Sequence, residues 1–295
     1  MQENLEITLP DQITNQLNIF RAENEEAPVI MIFSAMGVKA AYYWHYAKAM
    51  GGKGIHVITF DQRGNGQSSI RPGKNIDFGY KEIVEVDYPF VLQKVRELFT
   101  ENKIFVMGHS LGGQMGSMFA GKYPELLDGL ILNATCSVYY KGWDGIFRPA
   151  IHAAGYLCQW LADVMGYFPG RQLNFGDRES KGLIHDWAYT LKTGKYKATG
   201  SDFDYENAMA QMTLPILALS YEGDLSSPKK AMKNLLHKFK ATQNIEHHHL
   251  VHPQHSNKKY GHYSWVRKPE ITLNLVSEWV KKLIGEEVYP ARTSL

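Results

Sequence analysis

Apolar residues in this chain fall into short unbroken runs, and between the runs lie longer stretches in which they recur at helical intervals. Residues 29–33, 55–60, 103–107, 127–133 and 215–220 are each too short for a helix, yet bulky enough to be strands buried on both faces. Stretches 40–50, 80–99, 114–120 and 228–239 read as helices. In 80–99 the spacing is carried by Ile83, Val84, Val86, Phe90, Val91, Val95 and Leu98. Short strands are expected at 5–10 and 16–21 around the Asp11-Gln12 turn, with a later strand at 245–251 and an amphipathic helix at 265–284. Alternation of this kind predicts an α/β protein with a mostly parallel central sheet and helices on both faces. From about 139 to 212 the alternation stops, leaving helix-like segments rich in aromatic residues and no clear strand. The expected organisation is a core made of 1–138 and 213–295, interrupted by a helical insertion at 139–212. No repeat, low-complexity tract or linker is present.

Composition narrows the function without naming it. A chain of 295 residues with 44% hydrophobic and 21% charged residues is ordinary for a soluble globular protein. Lys and Arg number 32 against 30 Asp and Glu, a formal charge of +2, so nothing indicates a nucleic-acid surface or a polyacidic partner. Cys136 and Cys158 are too few for a disulfide framework and lack metal-ligand spacing, which suits free thiols in a reducing compartment. The first residues have neither the basic nor the apolar region of a secretion signal, and no uncharged run reaches membrane-spanning length. A cytoplasmic location is the expectation, although a secreted form with its signal trimmed would read the same.

The chemistry centres on Gly108-His109-Ser110-Leu111-Gly112, which follows a strand and opens a helix. Gly-x-Ser-x-Gly in that setting is the pattern of a nucleophile elbow, where a serine is held at φ > 0 with its hydroxyl exposed above the sheet. Glycines at the first and last positions let strand and helix approach closely. The same turn aims the first helical N–H, that of Leu111, at developing negative charge.

Three further motifs occur in order: Asp61-Gln62-Arg63-Gly64-Asn65-Gly66-Gln67-Ser68 after an upstream strand, Gly223-Asp224 after a downstream one, and Gly261-His262 before the last helix. With these the chain resembles the α/β-hydrolase superfamily over nearly its whole length, in particular poorly characterised bacterial members with Ala-Met-Gly in the oxyanion loop. The resemblance implies an α/β-hydrolase fold with a helical lid at 139–212 and a catalytic triad of Ser110, Asp224 and His262. His262 would take the serine proton and Asp224 would orient it. Competing bases are His247, His248, His249, His252 and His255; Asp144 and then Glu222 are the alternative acids. Aligned on the family's His-Gly-x, the loop after 29–33 places Met36 at x, so the Met36 and Leu111 N–H groups would form the oxyanion hole. Ser34-Ala35 replace His-Gly, which leaves the backbone donor but alters its setting. Asp61 and Arg63 are expected to brace the neighbouring turn.

Aromatics of the insertion, including Trp143, Trp160 and Trp187, together with Trp265 beside His262, are candidates to line an apolar substrate pocket, although many must serve the insertion's own core. The expectation is a hydrolase of a small to medium, fairly apolar carboxylic ester that needs no cofactor or metal and acts as a monomer or homodimer. An acyltransferase, thioesterase, amidase or carbon–carbon bond hydrolase with the same triad, or a non-catalytic binding protein, would share these motifs. Dehalogenase chemistry is disfavoured because those relatives carry Asp where this chain has Ser110.

Overall fold

The computed structural model describes residues 2–252 and 260–285. Strands β1 (Gln2–Thr8) and β2 (Thr14–Phe20) form an antiparallel hairpin whose turn holds Gln12 at φ 68°. β3 (Val29–Phe33), helix α1 (Trp44–Gly51), β4 (His56–Phe60), α2 (Tyr88–Leu98), β5 (Ile104–His109), α3 (Leu111–Lys122) and β6 (Gly129–Asn133) follow in strict alternation after β3. The insertion then contributes α4 (Phe147–Met165), β7 (Tyr167–Pro169), β8 (Arg178–Ser180) and α5 (Lys181–Thr193). After α6 (Tyr205–Gln211) the alternation resumes with β9 (Ile216–Tyr221), α7 (Lys229–Leu236) and β10 (Ile245–Leu250), and the chain closes with α8 (Ser264–Arg267) and α9 (Leu273–Ile284).

The central sheet has eight strands in the order β1-β2-β4-β3-β5-β6-β9-β10, and every pair from β4 onward is parallel. Because successive side chains in a strand face opposite ways, β3 feeds two cores at once. Met31 and Phe33 pack on one face with Val106 and Met115, while Ile30 and Ile32 pack on the other with Phe105, Met107 and Trp279. The first of these cores runs on without a break into the insertion, where it takes in Phe168, Leu183, Ile184, Trp187 and Leu191.

Several elements depart from the expected pattern. The insertion does contain strands: β7 and β8 pair antiparallel over three residues each, too short to carry a readable period. Helix α6 lies within 139–212 but packs against α3, where a Cβ on Gly121 would meet the Met209 side chain at 3.1 Å. It serves as the crossover helix of the core. The expected helix at 265–284 is broken between α8 and α9 at Pro269, which lacks the N–H to continue the ladder. The helix at 80–99 opens with a π-helical turn, Glu82–Asp87, before α2. Pro89 cannot return a hydrogen bond to the carbonyl four residues earlier, and the wider turn accommodates that loss.

Candidate active site

Ser110 joins β5 to α3 at φ 54°, ψ −119°, a backbone region that costs a non-glycine residue about 1–3 kcal/mol. The strain is held by its surroundings: the Ser110 N–H donates to the Asn133 carbonyl at 3.3 Å, and its own carbonyl accepts from Gly113 and Gln114 at 3.0 and 3.2 Å. Close packing makes the flanking glycines obligatory. A Cβ on Gly108 would lie 2.2 Å from Gly113 Cα, and one on Gly112 would lie 2.2 Å from the Phe33 carbonyl oxygen. The second contact brings the end of β3, and the loop after it, against the start of α3. Gln62 Nε2 donates to the Ser34 carbonyl at 2.7 Å and the Ala35 N–H donates to Tyr43 OH at 2.9 Å, pinning that loop. Among the described residues the N–H groups of Met36 and Leu111 donate to nothing, so both remain available beside the elbow.

His262, in the loop before α8, packs against His109, the residue before Ser110. Its Nδ1 is 2.8 Å from Asp224 Oδ2, and the Asp224 side chain is completely buried. The other oxygen, Oδ1, accepts from the Ser226 and Ser227 N–H groups at 2.9 and 3.0 Å. Nδ1 is therefore the protonated nitrogen, and Nε2 is left with a free lone pair. The His262 ring centroid lies 4.9 Å from that of His109, the residue before Ser110. Ser110 Oγ makes no hydrogen bond among the described residues; such bonds are commonly long without substrate and tighten in the complex.

His109 connects these parts. Its Nε2 is 3.0 Å from the His262 backbone oxygen, which can only accept, so Nε2 carries the proton. Nδ1 then accepts from Tyr43 OH at 2.9 Å, while the same phenolic oxygen receives the Ala35 N–H. Burial drives the His109 pKa well below its usual value, consistent with the neutral ring that this chain of bonds requires. One line of three hydrogen bonds thus runs from the loop holding Met36 to the loop holding His262.

A family model described as serine aminopeptidase, S33, matches residues 24–182. The chain belongs to this family of α/β hydrolases. A proline iminopeptidase from Thermoplasma volcanium is 32% identical over 122 residues, a match covering 40% of this chain and 38% of that relative's length. A proline iminopeptidase from Lactobacillus helveticus is 22% identical across 87% of the chain and 90% of its own length. Among solved structures, Est1E from Butyrivibrio proteoclasticus with ferulic acid bound superposes with a TM-score of 0.70 at 14% identity, covering 96% of this chain and all of the other. A Paleococcus ferrophilus monoacylglycerol lipase superposes with a TM-score of 0.62 at 15% identity over 91% and 99% of the two chains. These structural likenesses show the α/β-hydrolase fold.

The other candidates in this α/β hydrolase lie elsewhere or are already engaged. Asp144 is 72% exposed and pairs with Lys230 and Arg148. Glu222 pairs with His252, and His247 and His249 both contact Ser220 Oγ, at 2.8 and 2.9 Å. His248 faces Glu246. His255 lies outside the described residues. Among the described residues no group of His, Cys, Asp and Glu is arranged to hold a metal ion, and no helix is long and apolar enough to cross a membrane. Asp61 and Arg63 do brace the turn: Asp61 accepts from the Ala40 and Gln67 N–H groups, and Arg63 forks onto buried Asp87.

The tryptophans are dispersed rather than gathered at one wall. Trp265 has no exposed surface; it packs beneath the elbow against Tyr43, Tyr46 and His109, so it supports the site instead of facing substrate. Trp160 is 59% exposed on α4. Trp187 is buried beside Phe175, and Trp143 donates its indole N–H to the Leu225 carbonyl at 2.9 Å, next to Asp224. Glu179 on β8 escaped the sequence reading. It is fully buried behind Met36 and Gly176, with Oε1 unpartnered, and burial pushes its carboxyl up to about 8.

Proposed function

We propose that this α/β hydrolase cleaves carboxylic esters through an acyl-enzyme, with Ser110 as nucleophile, His262 as general base and Asp224 as its orienting acid. The observation that supports this reading is the Asp224–His262 pair, which holds the proton on Nδ1 and leaves the Nε2 lone pair free to act as a base. Ser110 Oγ attacks the ester carbonyl carbon while its proton passes to His262 Nε2. The carbonyl oxygen becomes an oxyanion, and the Met36 and Leu111 N–H groups receive it; each such donor is worth about 2.7–4 kcal/mol in the transition state. Collapse expels the alcohol, which takes the proton from His262. Water, deprotonated by the same ring, then attacks the acyl carbon and releases the acid and Ser110.

A fluorophosphonate probe tests the assignment. Wild-type protein should gain one adduct, located by peptide mass spectrometry at Ser110, and Ser110→Ala should gain none. Equal labelling of both, or labelling elsewhere, overturns it. The insertion is read as a lid over a small to medium, fairly apolar ester, and its aromatic core supports a stable wall rather than a specific chain length. Activity on N-terminal peptide bonds is the second reading, favoured by the family description and by the two iminopeptidase relatives. Comparing kcat/KM for p-nitrophenyl acetate with that for amino-acid p-nitroanilides separates the two. A cytoplasmic setting suits Cys136 and Cys158, both free and buried, with the Cys136 thiol pushed up to about 12 by burial.

A further inference from the structure

Between the β7–β8 hairpin and the core lies a recess of about 350 Å³ lined by Lys39, Arg71, Arg171 and Arg178, with Asp177 as its one carboxylate. Its remaining lining is Gln172 and the Gly64-Asn65-Gly66 turn. The whole chain has 32 cationic against 30 acidic side chains, so four cations to one carboxylate is a local concentration of charge. Among the described residues none of the four has a carboxylate within ion-pair distance. Asp177 Oδ1 already accepts the Arg178 N–H at 2.9 Å.

Free surface cations would normally be dispersed and mobile. Here two are held in place. The Arg71 guanidinium is fastened to the Gly66, Ser68 and Ile70 carbonyls, and the Arg178 guanidinium lies 4.3 Å from the centre of the Tyr167 ring. Arg171 and Lys39 face them from opposite sides of the junction, one on the insertion and one on the core. Like charges brought together across a seam repel unless an anion sits between them, and fixed guanidinium groups match carboxylate or phosphate oxygens without further ordering cost.

The recess also adjoins the proposed oxyanion loop. A Cβ on Gly37, the residue after Met36, would meet the Asp177 backbone nitrogen at 2.0 Å, so the hairpin that carries Arg171 and Arg178 rests directly on that loop.

We propose that this recess is an anion subsite: it receives a carboxylate or phosphate carried by the substrate at the end remote from the scissile ester. The link to substrate rests on the ester-hydrolase reading above, whereas anion binding itself does not.

The first arm of the test uses full-length Ser110→Ala protein, which cannot turn over an ester, in isothermal titration calorimetry with inorganic phosphate and with succinate. Saturable binding is expected, weaker at 300 mM than at 50 mM NaCl because screening shortens the reach of the charges. Adding Lys39→Ala and Arg171→Ala, both at exposed positions, should lower affinity at least tenfold. Absence of saturable binding, or equal binding by the triple variant, overturns the subsite. The second arm measures kcat/KM for mono-p-nitrophenyl glutarate relative to p-nitrophenyl butyrate, in wild type and in Lys39→Ala/Arg171→Ala. The acidic-to-neutral ratio should fall at least tenfold in the variant. Binding lost in the first arm with an unchanged ratio in the second overturns the substrate assignment and leaves a site for free anion. Wild-type protein inert toward both esters counts against the hydrolase reading alone, since calorimetry still decides the recess.

Discussion

At the scale of single residues, the site depends on a histidine that carries no proposed chemical step. His109 links the Ala35 N–H, through Tyr43, to the His262 carbonyl, and only a neutral ring with its proton on Nε2 satisfies every partner. Replacing it with Leu leaves the Tyr43 O–H proton without an acceptor and the part-buried His262 carbonyl without its donor, at a cost of about 1–3 kcal/mol each. His109→Leu should therefore lower the melting temperature and, by loosening the His262 loop, reduce kcat by roughly 10–100-fold with little change in KM. The burial-depressed pKa has a pH signature. Below the ordinary histidine range the unfolded chain binds a proton that the folded chain refuses, so this contribution to stability is complete above about pH 6.5 and is lost as pH falls toward the folded pKa. Melting curves between pH 7 and pH 5 should show a smaller loss for His109→Gln, which cannot titrate, than for wild type. Parallel losses would mean that His109 is not the group responsible. The motif position of His109 was plain from sequence, but its partners were not, because Tyr43 and the His262 carbonyl are brought to it only by the fold.

Elements decide how well the loops are aimed. The β7–β8 hairpin touches the loop after β3 at Gly37, which has φ +66° and no room for a side chain. Gly37→Ala adds roughly 1–2 kcal/mol of left-handed backbone strain and also forces hairpin and loop apart. The expected outcome is a lower melting temperature together with a fall in kcat for p-nitrophenyl acetate that exceeds any rise in KM. A stability loss with kcat intact would show that the hairpin yields and the loop does not. Long periodic segments were readable in advance: β3, β5, β9 and α2 lie close to where the hydrophobic pattern puts them. The hairpin was not, since three-residue strands have no period, and the break at Pro269 was hidden within an otherwise amphipathic stretch. Ser110, Asp224 and His262 could be singled out because each is tied to a turn motif at a strand's carboxyl end. The tryptophans could not be placed, because whether an aromatic lines a cavity or fills a core depends on packing that sequence does not record.

For the whole molecule, the continuous apolar cluster that joins the sheet to the insertion predicts one cooperative unfolding event. Denaturation followed by tryptophan fluorescence, with Trp160 and Trp187 reporting from the insertion, should coincide with denaturation followed by far-ultraviolet circular dichroism. Curves that separate would mean that the insertion melts on its own. Continuity of packing does not imply continuity of the sheet. β6 and β9 pair side by side, Leu130 against Ile216, and α6 already completes the crossover between them. Everything from α4 to α5 is thus a detour within the connection from β6 to β9, and a homologous detour transplanted at its two ends would meet the same elbow and the same histidine loop. On the proposed reading, exchanging that cassette would rewrite what the molecule accepts and leave the proposed bond-making residues where the sheet has put them.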